Sequence, residues 1–370
     1  MSEPREGELP EGKAVEESDK GRDTPEALAE GQLPEPDLSE ESRDAQSIAR
    51  DRDRPLLERL EAFEDIVESE VGDTTMTRAR NLERESGLRQ LHLKFEGNNP
   101  TGTHKDRIAF AQVADALRRG FDVVVAASCG NYGSAVSLAC QLAGVECRIY
   151  IPEKNHSKRL AEIESYGAKL IRIPGDYETA VARSSEEAER DELYDANPGG
   201  ANTSLQLKAY GEIAYEIYDE LRDAPAVVAC PLSNGTVLAG LHRGFLGLYR
   251  RGKTSRIPRL VGGSARGQNP VIHAYRTGAA ECPTLPPETL HETQVNEPLI
   301  NWYSIDGDLA LEAIRSTGGW AGEASDRTLK HWAKKLRENE GLSVLPAATA
   351  GLVALFEQHA REALPSDRYV

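Results

Sequence analysis

Lys105 closes a constrained corner: residues 94–107 read KFEGNNPTGTHKDR, with a Pro-Thr-Gly-Thr-His turn before the lysine and an Asp-Arg pair behind it. Three kinds of chemistry suit an isolated lysine there. A Walker-type phosphate loop requires Gly directly before the lysine and Ser or Thr directly after it, whereas His104 and Asp106 hold those places. An ordinary solvated turn would lead into the run RIAFAQVADALRRG, with Thr103 or Asp106 as its cap. A nucleophilic lysine that forms a Schiff base needs a fixed position and a lowered pKa. A helix entrance supplies part of the second need, because the positive end of the helix dipole disfavours the ammonium. The corner alone leaves the last two readings open.

Two further turns bear on the choice. In SCGNYG, residues 128–133, Ser128 and Asn131 flank Gly130 and offer donors to a carboxylate or phenolate oxygen. In SNGT, residues 233–236, successive backbone N–H groups at a helix start could hold a phosphate without cationic side chains. Each taken singly also reads as a structural turn. Neither is G-x-G-x-x-G, so a dinucleotide fingerprint is absent. An amine, donors for a ring oxygen and a phosphate cradle together suit a ligand with an aldehyde, a phenolate and a phosphate. Pyridoxal 5′-phosphate is such a ligand.

The elements that would position these groups alternate along the chain. Strand patterns at QLHLKFE, DVVVAAS, ECRIYIP, AKLIRIPG, AVVACPL and PRLVGGSA are separated by helical ones. The helical patterns are IAFAQVADALRRG, SAVSLACQLAG, SKRLAEIESYG, YETAVARSSEEAERD and LKAYGEIAYEIYDEL, with further helices at about 308–316, 325–340 and 347–363. Short Val/Ile-rich strands between helices predict an α/β protein with mainly parallel sheets. Ligands in such folds gather outside the carboxyl ends of the strands, where both turns fall.

Composition narrows the classes. The chain of 370 residues is long enough for a two-lobed enzyme unit. Its formal net charge of −17, without a polybasic stretch, disfavours a nucleic-acid partner. Five cysteines without a CxxC pair argue against a zinc site or a disulfide framework and for reduced thiols. No apolar run approaches the roughly 20 residues of a membrane span, and the opening MSEPREGELPEGK lacks the apolar core of a signal peptide. A cytoplasmic protein is expected. Residues 1–50 are rich in Glu, Asp, Pro, Ser and Gly, and read as a disordered acidic tail dispensable for folding.

The motifs in this order give the chain a resemblance to the fold-type-II pyridoxal-phosphate enzymes, within them to the threonine synthases and their relatives in the tryptophan synthase beta-like superfamily. The resemblance runs from GDTTMTRARNLE to the last residue. It rests on FEGNNPTGTHKDR, SCGNYGSAVSLACQLAG, PLSNGTVLAGLHRGF, GSARGQNPVIHAYRTG and ENEGLSVLPAATAGLVAL. It implies two open, twisted, mainly parallel-sheet lobes with helices on both faces, together forming a catalytic unit over residues 51–370. A smaller mobile lobe at about 110–205 would be inserted in a larger cofactor-binding lobe.

By the same resemblance, Lys105 would carry the cofactor as a Schiff base and Asn131 would bond its phenolate oxygen. Ser233, Asn234, Gly235 and Thr236 would hold its phosphate. Ser128, Cys129, Gly130 and Thr103 would line the substrate side. The implied partner is a small amino acid and the implied assembly a homodimer. Threonine synthases act on O-phosphohomoserine and water, by elimination and replacement at the β- or γ-carbon. The alternatives are β-elimination or β-replacement, as in serine/threonine dehydratases or cysteate and cysteine synthases, and a non-catalytic cofactor-binding role.

Several positions depart from the family pattern. Gly211 and Glu212 stand where relatives commonly carry Lys and Thr, and a Glu212 carboxylate in a desolvated pocket would repel a substrate phosphate. Leu345 replaces the acid of a Glu-Pro-Ala-Ser run. The strand that supplies a hydroxyl to the pyridine nitrogen would begin at SDRYV, residues 366–370, which leaves Thr349 as a candidate for that hydroxyl. The zinc ribbon of some relatives has no counterpart, and no metal is expected.

Overall fold

Two separate parallel sheets organise the chain. The computed structural model describes residues 38–154, 157, 159–364 and 368–370. Helices α1 (Glu40–Arg50) and α2 (Leu56–Glu70) come first. A small antiparallel pair follows, β1 (Met76–Arg78) with β2 (His92–Lys94), joined through α3 (Arg80–Ser86). Helix α4 (Lys105–Arg118) begins at the lysine itself.

The first parallel sheet comprises β3 (Val123–Ala127), β4 (Glu146–Pro152), β5 (Lys169–Ile173) and β6 (Tyr194–Asp195) in the order β5-β4-β3-β6. Its connections are α5 (Asn131–Ala143), α6 (Leu160–Ser165) and α7 (Tyr177–Arg190). Helix α8 (Thr203–Leu221) leads on to the second sheet, of β7 (Val227–Pro231), β8 (Arg259–Ala265) and β9 (Trp320–Ala324) in that order. Helices α9 (Thr236–Arg250), α10 (Pro270–Thr277) and α11 (Gly307–Ser316) connect those strands, and α12 (Asp326–Glu340) and α13 (Ala350–Arg361) follow.

Side-chain alternation explains why both faces of each sheet are covered. On β3, Val124 and Ala126 join the cluster that contains α5, while Val125 and Ala127 pack with Ala180 and Ala188 of α7. In the second sheet Val227, Val261 and Trp320 meet α13, and Leu260 meets α9 and α11. A strand buried on both faces has no need of polar alternation, which is why these runs are continuously apolar. All twelve residues Tyr132–Ala143 of α5 are buried. The Gly, Ser, Ala and Cys residues among them let α5 lie close between the sheet and the outer helices.

The carboxyl end of the expected tail is helical. Residues 1–37 of the expected 1–50 tail lie outside the described residues, but 40–50 form α1. Leu38 and Ala49 are 5% and 0% exposed and belong to the main core. The buried Arg59 donates to the Ala49 carbonyl at 2.9 Å and the Ala143 carbonyl at 3.1 Å, which ties the ends of α1 and α5 together. Those two bonds, with the burial of Leu38 and Ala49 and the contacts of Ser39 and Ser42 to Glu70 and Ser69 of α2, help hold so polar a helix in place. The carboxyl-terminal residues are also integrated: Tyr369 O accepts from Ala226 N–H, and Val370 O accepts from His92 N–H. Among the described residues no helix is long and apolar enough to cross a membrane.

Candidate active site

The three segments singled out in the sequence all stand at helix starts: Lys105 opens α4, Asn131 opens α5 and Thr236 opens α9. The second and third follow the carboxyl ends of β3 and β7. Helix starts expose unpaired N–H groups and a partial positive charge, so all three favour an anionic ligand and disfavour an ammonium.

The lysine corner is closed by its own neighbours. Asp106, fully buried, accepts from Thr101 N–H at 2.9 Å and from the Thr101 hydroxyl at 2.8 Å. Thr103 Oγ1 accepts from the Lys105 N–H at 3.2 Å. The cap position itself falls to His104, which makes no side-chain cap bond, so neither Thr103 nor Asp106 caps α4 as expected: Thr103 meets only the first helical N–H, and Asp106 reaches back from inside the helix to Thr101. Burial raises the Asp106 carboxyl to about 6 against the pull of the Thr101 bonds. Desolvation lowers the half-buried Lys105 amine to about 8. Burial, with Lys105 and Arg107 nearby, lowers His104 to about 3, and its ring lies 5.6 Å from that of Tyr210. The ring contact and the lowered value both suit His104 as a packing residue beside the lysine.

Behind the corner Arg107 forks between two carboxylates. It meets Glu96 at 2.6 and 2.9 Å and Glu216 at 2.6 and 2.9 Å, and Lys94 joins Glu216 at 2.5 Å. The sequence displays the Asp-Arg pair after Lys105 but holds no sign that Arg107 is the centre of this cluster. Glu216 lies 109 positions away, so no local signal pairs them.

The Ser128–Gly133 loop is held by its own serine. Ser128 Oγ accepts from Gly133 N–H at 2.9 Å and from Gly130 N–H at 3.4 Å, so the hydroxyl shapes the loop. A Cβ added to Gly130 would meet nothing within 4 Å, so the loop's surface is open there. The half-buried Asn131 has no side-chain hydrogen bond among the described residues. Next to it, buried Tyr132 donates to Gln112 Oε1 of α4 at 2.6 Å, and Gln206 of α8 donates to the same oxygen at 3.2 Å. This uncharged network ties the helices of Lys105 and Asn131 to α8. Half-buried Cys129 stands between Ser128 and Gly130.

The 233–236 turn is an open cradle. Gly235 has φ +96°, and a Cβ there would lie 2.7 Å from the Asp306 carbonyl oxygen, so only glycine fits without strain. No acceptor within the described residues takes the N–H of Ser233, Asn234, Gly235 or Thr236. The outer side is well braced: Asn269 Nδ2 donates to Ser233 O at 3.0 Å, and Asn301 Nδ2 donates to Asn234 Oδ1 at 3.1 Å. Backbone donors without partners at a helix start are what a phosphate monoester requires. The amine, the open asparagine loop and this cradle together fit pyridoxal 5′-phosphate. Gly235→Val is expected to weaken its binding about tenfold or more in an absorbance titration, from the positive φ and the crowding. Unchanged affinity would remove the loop from the site.

The departures noted in the sequence take a different meaning in three dimensions. A Cβ on Gly211 would lie 3.4 Å from the Gly240 carbonyl oxygen, and one on Gly244 would lie 2.5 Å from the Gly211 carbonyl oxygen, so glycines let α8 and α9 approach closely. Glu212 is exposed on α8; desolvation raises its carboxyl, and Lys208 opposes the rise. Its side chain stands on the solvent side of α8, where a carboxylate is only partly desolvated, so the repulsion expected for a substrate phosphate is weakened. Thr349 is fully buried and donates to the Pro346 carbonyl at 2.7 Å, so its proton is already committed inside the fold. Leu345 is 58% exposed. No cluster of His, Cys, Asp or Glu among the described residues could hold a metal ion.

Comparison with known proteins agrees with the geometry. Residues 67–370 match the family described as pyridoxal-phosphate dependent enzymes. The chain is 32% identical over 294 residues to a threonine synthase of Methanocaldococcus jannaschii, covering 78% of this chain and 70% of the relative. Among solved structures, a T.th. threonine deaminase superposes with a TM-score of 0.66 at 22% identity, covering 84% of this chain and 95% of that one. A maize serine racemase gives 0.66 at 19% identity, covering 86% and 89%. The structural likenesses establish the two-sheet fold, and the sequence match over four-fifths of the chain establishes the lineage: the chain belongs to the pyridoxal-phosphate-dependent enzymes of fold type II.

Proposed function

We propose that the chain is a lyase or synthase of the threonine-synthase kind. In this reading it expels a leaving group from the β- or γ-carbon of an amino acid, such as O-phosphohomoserine, and completes the reaction with water or another nucleophile. The observation that carries the reading is the Lys105 amine, set on a closed corner and lowered to about 8 by desolvation. Its support is the 32% identity to a threonine synthase. When bound, the cofactor supplies the electron sink for bond breaking at the substrate α-carbon.

The chain's own residues do the rest. Lys105 Nζ would hold the cofactor, and the same amine, once free, would take and return protons as a general base and acid. Neutral His104 adds no competing cation beside it. The Ser128 hydroxyl, whose lone pairs hold the loop, keeps its proton for a substrate carboxylate, with Thr103, Cys129 and Gly130 bordering the same side. The Asn131 carboxamide is free to meet the ring oxygen, and residues 233–236 offer their N–H groups to the phosphate.

The lowered Lys105 pKa sets a pH dependence. Only the free amine attacks an aldehyde, so the rate at which cofactor-free protein captures pyridoxal 5′-phosphate should rise about tenfold per pH unit below pH 8 and level off above it. Stopped-flow absorbance checks this; a midpoint near 10 would mean that Lys105 is not desolvated.

The substrate is tested by product analysis after cofactor-loaded protein is mixed separately with phosphohomoserine, phosphoserine, threonine and serine. Threonine and free phosphate from phosphohomoserine support the proposal. Oxo acid from serine or threonine, with phosphohomoserine untouched, would replace it with β-elimination. Turnover of none of the four would count against a lyase of either kind.

A further inference from the structure

Asp306 is a buried acid that the proposed reaction does not use, and it stands at the cofactor cradle. It is 4% exposed, and among the described residues no Lys, Arg or His forms an ion pair with it. Its Oδ2 accepts from the Thr236 hydroxyl at 2.5 Å, and its Oδ1 accepts from the Thr203 hydroxyl at 3.3 Å. Its N–H donates to the Asn234 carbonyl at 3.0 Å, and its own carbonyl is the atom that crowds Gly235. One residue therefore touches three of the four cradle positions and the first turn of α8. A buried carboxylate without a counter-ion is costly unless a local field supports it, and the start of α9 supplies that field. The same field is what a phosphate in the cradle would draw on.

We propose that Asp306 is a positioning residue with two opposed effects on the cofactor: its carboxylate fixes the cradle, and its charge holds the affinity for a phosphate below what the cradle alone would give. The Thr236 hydroxyl has one proton, which goes to Asp306, so Thr236 has only its backbone N–H left to donate to the phosphate. The carboxylate is a resident anion at the same helix start, and two anions in a poorly solvated site repel each other. The Thr203 bond adds a mechanical link from the cradle to the helix that leads out of the first sheet. This inference rests on the reading that residues 233–236 hold the phosphate.

The test uses Asp306→Asn, which keeps an oxygen for the Thr236 hydroxyl but removes the charge. Dissociation constants are measured for pyridoxal 5′-phosphate and for pyridoxal, which lacks the phosphate, together with the melting midpoint of the cofactor-free protein. The expected result is a lower midpoint, an affinity for pyridoxal 5′-phosphate about tenfold tighter, and an unchanged affinity for pyridoxal. An ordinary structural residue would instead weaken both ligands as it lowered the midpoint. Equal changes for both ligands, or weaker binding of the phosphorylated one, would overturn the opposing-charge effect, and an unchanged midpoint would overturn the brace. Gly235→Val separates the underlying reading: if the ratio of the two affinities does not move in that variant, the cradle does not hold the phosphate at all.

Discussion

Lys105→Ala should lower turnover by about 10³-fold or more, because in the proposed reaction this one side chain both anchors the cofactor and moves the α-proton. It should not destabilise the cofactor-free protein. Desolvation lowers the amine from 10.5 to about 8 in the folded chain, so between those values the unfolded chain binds more protons. Stability from this group therefore rises as pH increases from about 8 to about 10, and below pH 8 the burial penalty is present in full. The alanine variant should accordingly melt at or above the parent's midpoint at pH 7 and lose that part of the pH dependence. Calorimetry of both cofactor-free proteins at pH 7 and pH 10 checks this. A variant less stable than the parent at pH 7 would show that the lysine side chain has a structural role.

Arg107→Ala should have the largest effect on stability, about 3–5 kcal/mol, because it strips one partner from a buried ionic cluster. The Arg107 side chain is 3% exposed and bonds both oxygens of Glu96 and both of Glu216. Among the described residues, Lys94 alone would remain as a cation beside Glu216. In the parent, burial pushes the Glu216 carboxyl up, but its bonds to Arg107 and Lys94 more than offset this and hold it below the usual value. That contribution is present above the ordinary carboxylate pKa and is lost as pH falls through the lowered one. Without Arg107 the burial effect prevails and the sign reverses: the carboxyl is raised, and protonation relieves it. The deficit of the variant should therefore shrink between pH 7 and pH 5 in urea unfolding. A second substitution, Glu216→Gln, should recover part of the loss at pH 7. A deficit under about 1 kcal/mol would mean that the cluster behaves like an exposed pair.

The sequence makes some elements plain because one local force dominates them. Residues 146–152 read as a strand and form β4 over the same span, since a buried parallel strand announces itself by its Ile and Tyr content and its neighbouring glycine stops. The three candidate segments stand out in the sequence for a similar reason, since an open glycine turn, a closed lysine corner and a Ser-Cys-Gly-Asn loop each need particular residues at consecutive positions, and each opens a helix in the fold. What stays hidden depends on partners distant in the chain. The sequence Trp-Ala-Gly-Glu-Ala of β9 has no β-branched residue and becomes a strand by pairing with β8. Helix α1 has little apolar surface and holds through Arg59 and the end of α5. Glu212 resembles an active-site acid by its position in a motif, whereas the face of α8 it occupies shows only in the fold. Asp306 carries no motif at all; a contact across 70 positions brings it to Thr236.

The central claim is that Lys105 carries the cofactor, and borohydride reduction followed by peptide mapping tests it most directly. Reduction of cofactor-loaded protein should fix one pyridoxyl group per chain, on the peptide that contains Lys105, with no labelling when pyridoxal 5′-phosphate is left out. Label on a different lysine, such as Lys94 or Lys208, would contradict the account, whatever activity the protein displayed.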